Sequence, residues 1–111
     1  MTSITKSLFA PQLVGIDESV LYQTPANTTT VIKYILLHNT STVPATVTIS
    51  TPTSGQISST ANQLAVKTVA GLASLQITEA VNETLNAGSS IRAFSDTEGV
   101  VNIRAGGIEI V

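Results

Sequence analysis

The sequence predicts an all-β fold, a single β-sandwich of about eight antiparallel strands. Three observations predict it. Apolar and polar residues alternate with a period of two in several short segments, as in Val43, Ala45, Val47 and Ile49 against Pro44, Thr46, Thr48 and Ser50. Turn-forming segments rich in Gly, Pro, Asn, Asp, Ser and Thr recur between them at the spacing of a sandwich, and no stretch carries a helical period. A chain of 111 residues accommodates one two-layer core and not two. A jelly roll and an immunoglobulin-like sandwich both fit this strand count. With no Cys and no Trp to mark the immunoglobulin arrangement, the expectation is jelly-roll-like, with immunoglobulin-like as the alternative.

Residues 1–15 mix apolar and polar side chains around Pro11, which suits an N-terminal arm or an edge strand. The sandwich domain is expected over residues 16–111. Val20 to Gln23 is a short strand closed by Thr24-Pro25-Ala26-Asn27, where Pro fixes φ and Asn tolerates a turn. Thr30 to Asn39 is the strand around which the others are arranged, because it is apolar on both sides. Val31, Ile35 and Leu37 are expected to face one way, and Ile32, Tyr34, Leu36 and His38 the other, with Lys33 the only charge.

Asn39 to Thr42 then turns into the alternating strand Val43 to Thr51, which is expected to pair with its predecessor as a hairpin. Sharing one core face would put Val31, Ile35 and Leu37 inside and leave Tyr34, Leu36 and His38 pointing outward. Residues 51–62 form a long polar loop. Further strands follow at Gln63 to Val69, Ala73 to Glu79, Ser90 to Ser95 and Val100 to Ala105. Val81 to Leu85 is a bridging segment, and Gly106-Gly107 permits a bulge or bend before a strand-like tail.

Net charge is −2 and only 11% of residues are charged, so no basic field exists to hold nucleic acid or an anionic membrane. Ser and Thr make up roughly a quarter of the chain, well above ordinary usage. Such a surface dissolves yet carries little charge, and is easily buried against a neighbour. With no Cys, disulfides and thiolate metal sites are ruled out, and stability must come from packing or oligomerisation. The first fifteen residues lack the apolar run of a secretory signal, and no stretch has the length of a transmembrane helix, which leads to the expectation of a protein made and used in solution.

The run Leu21-Tyr22-Gln23-Thr24-Pro25-Ala26-Asn27-Thr28-Thr29, followed by Val31-Ile32-Lys33 and Asn39-Thr40-Ser41, resembles small tailed-phage structural proteins that read LYTVPAGTTAVIK, then an apolar strand and NTS. Leu85-Asn86-Ala87-Gly88, Val101-Asn102-Ile103-Arg104 and Gly107-Ile108-Glu109-Ile110 are similar to that family's LxAGD and VNVRxSGVEI ending. The chain departs at Ser89, where an acid is usual, and at Tyr34 and Leu36, where polar residues are commoner. The resemblance implies a non-enzymatic virion structural protein, assembled in the host cytoplasm. It would decorate or cement a capsid as a homo-oligomer, a trimer being favoured, beside partners such as the major capsid protein. A tail or fibre component is the alternative setting.

The residues offer little chemistry. His38 is the only histidine, so one copy can build neither a multi-His metal site nor a Cys–His pair, and a packing or interface role is expected. Asp96 and Glu98 with Asn102 could hold Ca²⁺ only in a spacing that matches no calcium loop. Asp17 with Glu79 or Glu83 would have to face across a cleft to act as glycosidase acids. Asn27, Asn39 and Asn82 begin N-glycosylation patterns of a kind that chance produces in a chain rich in Thr and Ser. No catalytic, cofactor or metal residue is therefore expected. A receptor- or glycan-binding module, reading ligands with the long loop, is a further alternative, although only Tyr22 and Tyr34 could stack on a sugar. The candidate partner interface is Tyr34, Leu36 and His38.

Overall fold

The computed structural model describes residues 2–111, so Met1, the first residue of the expected arm, lies outside the described residues. Nine strands run β1 (Ser3–Leu13), β2 (Ser19–Gln23), β3 (Thr29–Asn39), β4 (Ala45–Ser50), β5 (Gln63–Val69), β6 (Ser74–Gln76), β7 (Thr84–Leu85), β8 (Ser90–Ser95) and β9 (Val101–Ile110). Short 3-10 turns at Thr60–Asn62 and Thr78–Ala80 are the only helical pieces among the described residues. One sheet, A, has the order β1-β9-β3-β6 with β7 also on β3, and the other, B, has the order β2-β8-β4-β5. Every pairing is antiparallel.

β6 and β7 lie along the same side of β3, opposite Leu36–His38 and Thr30–Val31 respectively, so together they fill one strand position. The nine strands thus occupy eight positions. Four positions fall in each sheet, and the chain changes sheet at every connection except β4 to β5 and β6 to β7. That order is the jelly roll, and it sets aside the immunoglobulin-like alternative.

Between the sheets lie Ile32, Ile35, Leu37, Val47, Ile49, Ile77, Ile91, Val101 and Ile103, all fully buried. Each such side chain contributes roughly 1.5–3 kcal/mol when removed from water. Residues Ser3–Leu13 form the edge strand of sheet A on β9. Leu8, Phe9 and the following Val14 are buried in the core, so this segment belongs to the sandwich.

Two expectations fail at β3. β4 does not pair with it as a hairpin, since β4 lies in sheet B between β8 and β5. Alternation reveals which face of a strand is buried, but the inner faces of both sheets share one core, so it does not say to which sheet a strand belongs. Asn39, fully buried, makes the corner instead. Its Nδ2 donates to the carbonyls of Val43 (2.8 Å) and Val69 (3.0 Å), and its Oδ1 accepts from the Ser41 N–H and hydroxyl, both at 2.9 Å.

The second failure is the facing of Ile32, which is buried, while Val31 is only partly covered. The register to β9 slips by one residue between Ile32 and Tyr34. Lys33 is the extra residue of this β-bulge, and the bulge reverses the parity. Thr30 and Ile32 point inward before it, and Ile35, Leu37 and Asn39 after it. Gly106-Gly107, where the sequence permits a bulge or bend, stays within β9, and the irregularities fall on its neighbours at Lys33 and Leu8.

Candidate assembly surface

The outer face of sheet A can be built row by row from the register. One row runs Ser3, Ile110, Thr29; the next Thr5, Ile108, Val31, Thr84; the next Ser7, Gly106, Tyr34. Beyond these come Arg104, Leu36, Gln76 and then Leu13, Asn102, His38, Ser74. Tyr34, Leu36 and His38 therefore do share the outward face, with Tyr34 40% exposed and Leu13 56%. The basic side chains on this face are Arg104 and the bulge residue Lys33, which is exposed beside Tyr34 with its Nζ 3.0 Å from Asn82 Oδ1.

Tyr34 lies flat because its neighbour on β9 has no side chain. A Cβ at Gly106 would fall 2.4 Å from Cε1 of the Tyr34 ring, so the ring occupies the space that any other residue there would fill. The aromatic surface thus extends from β3 across β9 toward Ser7 of β1. His38 is held on the same face, its Nδ1 2.9 Å from the Ser74 hydroxyl on β6. Val31, Ile108 and Ile110 widen the apolar strip, all three partly exposed.

Sequence reasoning missed these three. The bulge at Lys33 hid Val31, and Glu109 hid the two isoleucines, because a charge between Ile108 and Ile110 suggests that the charge faces water. Here Glu109 faces inward, where the buried Tyr22 hydroxyl and Lys6 engage it. The signal available in the sequence was the flanking pair of isoleucines, which outweighs one carboxylate only if that carboxylate has partners.

This weakly charged face is set on a fold also found in a pilus protein. The chain is similar in fold to a pilus protein. A chain of the Bacillus endospore appendages, described as a novel family of disulfide-linked pili, superposes with a TM-score of 0.59 over 99% of this chain and 88% of that one, at 13% sequence identity. No family model matches the sequence, and no curated protein matches it. At that identity the likeness bears on the fold alone. The disulfide linkage named for those pili has no counterpart within these 111 residues, which contain no Cys.

Three of the carboxylates singled out in the sequence hold parts of the fold together. Glu98 Oε2 accepts from the Ile16 N–H at 2.7 Å, and Asp96 Oδ1 accepts from the Thr46 N–H at 2.9 Å. The two carboxylates therefore fasten different chain segments, and Asn102 stands apart from them on the outer face of sheet A. Glu79 pairs with Lys67 at 2.6 Å, and that ammonium holds its carboxyl below the usual range. Tyr22 is buried and presents no ring to a ligand, which leaves Tyr34 alone of the two tyrosines that could have stacked on a sugar. Asn39 is equally inaccessible as a glycosylation acceptor.

Proposed function

We propose that this protein is a non-enzymatic structural subunit that associates with copies of itself through the outer face of sheet A, within a phage particle. The observation that carries the reading is the apolar strip Val31, Tyr34, Leu36, Ile108 and Ile110 on the outer face of sheet A, crossed by only two charges, Arg104 and Lys33. Interface cores have this character, depleted in charge and enriched in aromatic surface. The fold likeness to a pilus protein supports assembly as a use to which such a sandwich can be put. The sequence resemblance to tailed-phage structural proteins supports the virion setting, with capsid decoration ahead of a tail position.

Particles banded on a density gradient from the producing culture test the setting. The chain is expected to co-migrate with them at a copy number matching a symmetry axis of the head. Recovery only from the unassembled fraction would contradict it.

A further inference from the structure

The outer face of sheet B carries a feature that the assembly reading leaves unused. The loop at residues 51–62 folds back over β2 and β8 and is locked by its own bonds. The Ser90 N–H donates to the Pro52 carbonyl at 3.0 Å, and the Thr51 N–H to the Asn62 carbonyl at 2.9 Å. The Asn62 side chain donates to the Ile57 carbonyl and accepts from the Ser59 N–H, both at 2.9 Å. Gly88, at φ +84, brings the turn before β8 so close that a Cβ would lie 2.5 Å from the Ser54 hydroxyl.

Between loop and strands opens a cleft of about 350 Å³, with Val20, Gln23, Ser90 and Arg92 as its floor and Gln56 and Ile57 on its wall. Arg92 is the one charged side chain lining it. Its Nε donates to the Ser90 hydroxyl at 3.2 Å, but Nη1 stands 3.7 Å from Glu18 Oε2, an ion pair too long for a full hydrogen bond. The end of the guanidinium thus keeps donors to spare. Ile57, 76% exposed, is the most exposed large apolar residue among those described, and it stands at the rim.

We propose that this cleft binds an acidic sugar, a ring bearing hydroxyls and one carboxylate. A guanidinium matches a carboxylate with two parallel donors. Gln23, Gln56 and Ser90 both donate and accept, as a set of hydroxyls requires. Val20 on the floor and Ile57 on the wall offer apolar surface that the C–H face of a ring covers. The volume lies at the lower end of small-ligand sites. Glu18 nearby disfavours ligands of higher negative charge. Without an aromatic platform the affinity is weak, on the order of millimolar for a ligand this small. The site is on the sheet opposite the assembly strip, so loading it and assembling are separable.

The test is an NMR titration of isotope-labelled protein with glucuronate, with glucose as the neutral analogue. Glucuronate is expected to shift the Arg92 Nε–H and the side-chain amides of Gln23 and Gln56, with glucose weaker by about tenfold or more. Arg92→Gln should abolish that preference while unfolding at the same temperature. Ile57→Ser, on an exposed loop tip, should weaken both sugars. Glu18→Gln should tighten glucuronate, because it removes the competing carboxylate. Equal response to the two sugars, no response to glucuronate, or weaker glucuronate binding in Glu18→Gln would each overturn the assignment.

Discussion

The Tyr22 hydroxyl lies 2.5 Å from Glu109 Oε2 and 2.7 Å from Thr30 Oγ1, joining the first strand of sheet B to β9 and β3 of sheet A across the core. A phenol has one proton, and the carboxylate can only accept, so Tyr22 donates to Glu109 and Thr30 donates to Tyr22. Lys6 Nζ, 3.4 Å from the other carboxylate oxygen, completes the set. Tyr22→Phe leaves the buried Thr30 hydroxyl without its acceptor and the Glu109 carboxylate with Lys6 alone, and is expected to cost roughly 1–3 kcal/mol in denaturant unfolding.

The same pair gives the protein a defined alkaline limit. Burial first, and then the neighbouring Glu109 carboxylate, push the Tyr22 hydroxyl from its usual 10.0 up to about 12. The folded state therefore holds its proton where the unfolded state has released it. This contribution is complete below pH 10 and is lost as pH rises toward 12. Stability curves measured between neutrality and pH 12 should show wild type falling more steeply than Tyr22→Phe across that window. Parallel curves would remove the link between Tyr22 ionisation and folding.

Asn39 is the second place where one side chain decides topology. Its four hydrogen bonds carry the chain from sheet A to sheet B, and Ala there would leave the Val43 and Val69 carbonyls without that donor. Asn39→Ala should lower stability by roughly 2–4 kcal/mol, as expected when several buried partners lose their bonds together. Ser41→Ala, which removes only a partly exposed hydroxyl, should cost well under half as much.

The N-terminal strand separates a structural from a tethering role. β1 covers one whole edge of β9 and contributes Leu8 and Phe9 to the core. Deleting residues 2–13 exposes that edge and opens a cavity, and circular dichroism should show an unfolded or aggregated product. A truncated chain that stays folded and monodisperse would mean that the segment serves only as an arm.

Much of this was visible in the residues. Ala45, Val47 and Ile49 announced a half-buried strand, and the turn segments between alternating runs announced a sandwich. What stayed hidden has a common physical origin, namely contacts between residues distant in the chain. The bulge at Lys33 exists because β9 passes beside it in a register that leaves Lys33 unpaired, and nothing local to Thr30–Asn39 reveals that. Glu109 faces inward because Tyr22, 87 positions away, meets it there. β4 lies in sheet B beside β8 and β5, and the corner that leads to it is braced by Asn39 on Val69, 30 positions away. The outward set Tyr34, Leu36 and His38 was legible because it lies beyond the bulge, where simple alternation resumes. Val31, just before it, was assigned to the wrong face for the same reason.

Sedimentation velocity of the full chain at micromolar concentration, run beside Leu36→Asp and Tyr34→Asp, tests the assembly strip most directly. Wild type is expected to sediment as a multimer, and each aspartate, placed on the outer face without disturbing the core, to release folded monomers. A wild-type chain that sediments as a monomer, indistinguishable from both variants, would contradict the account.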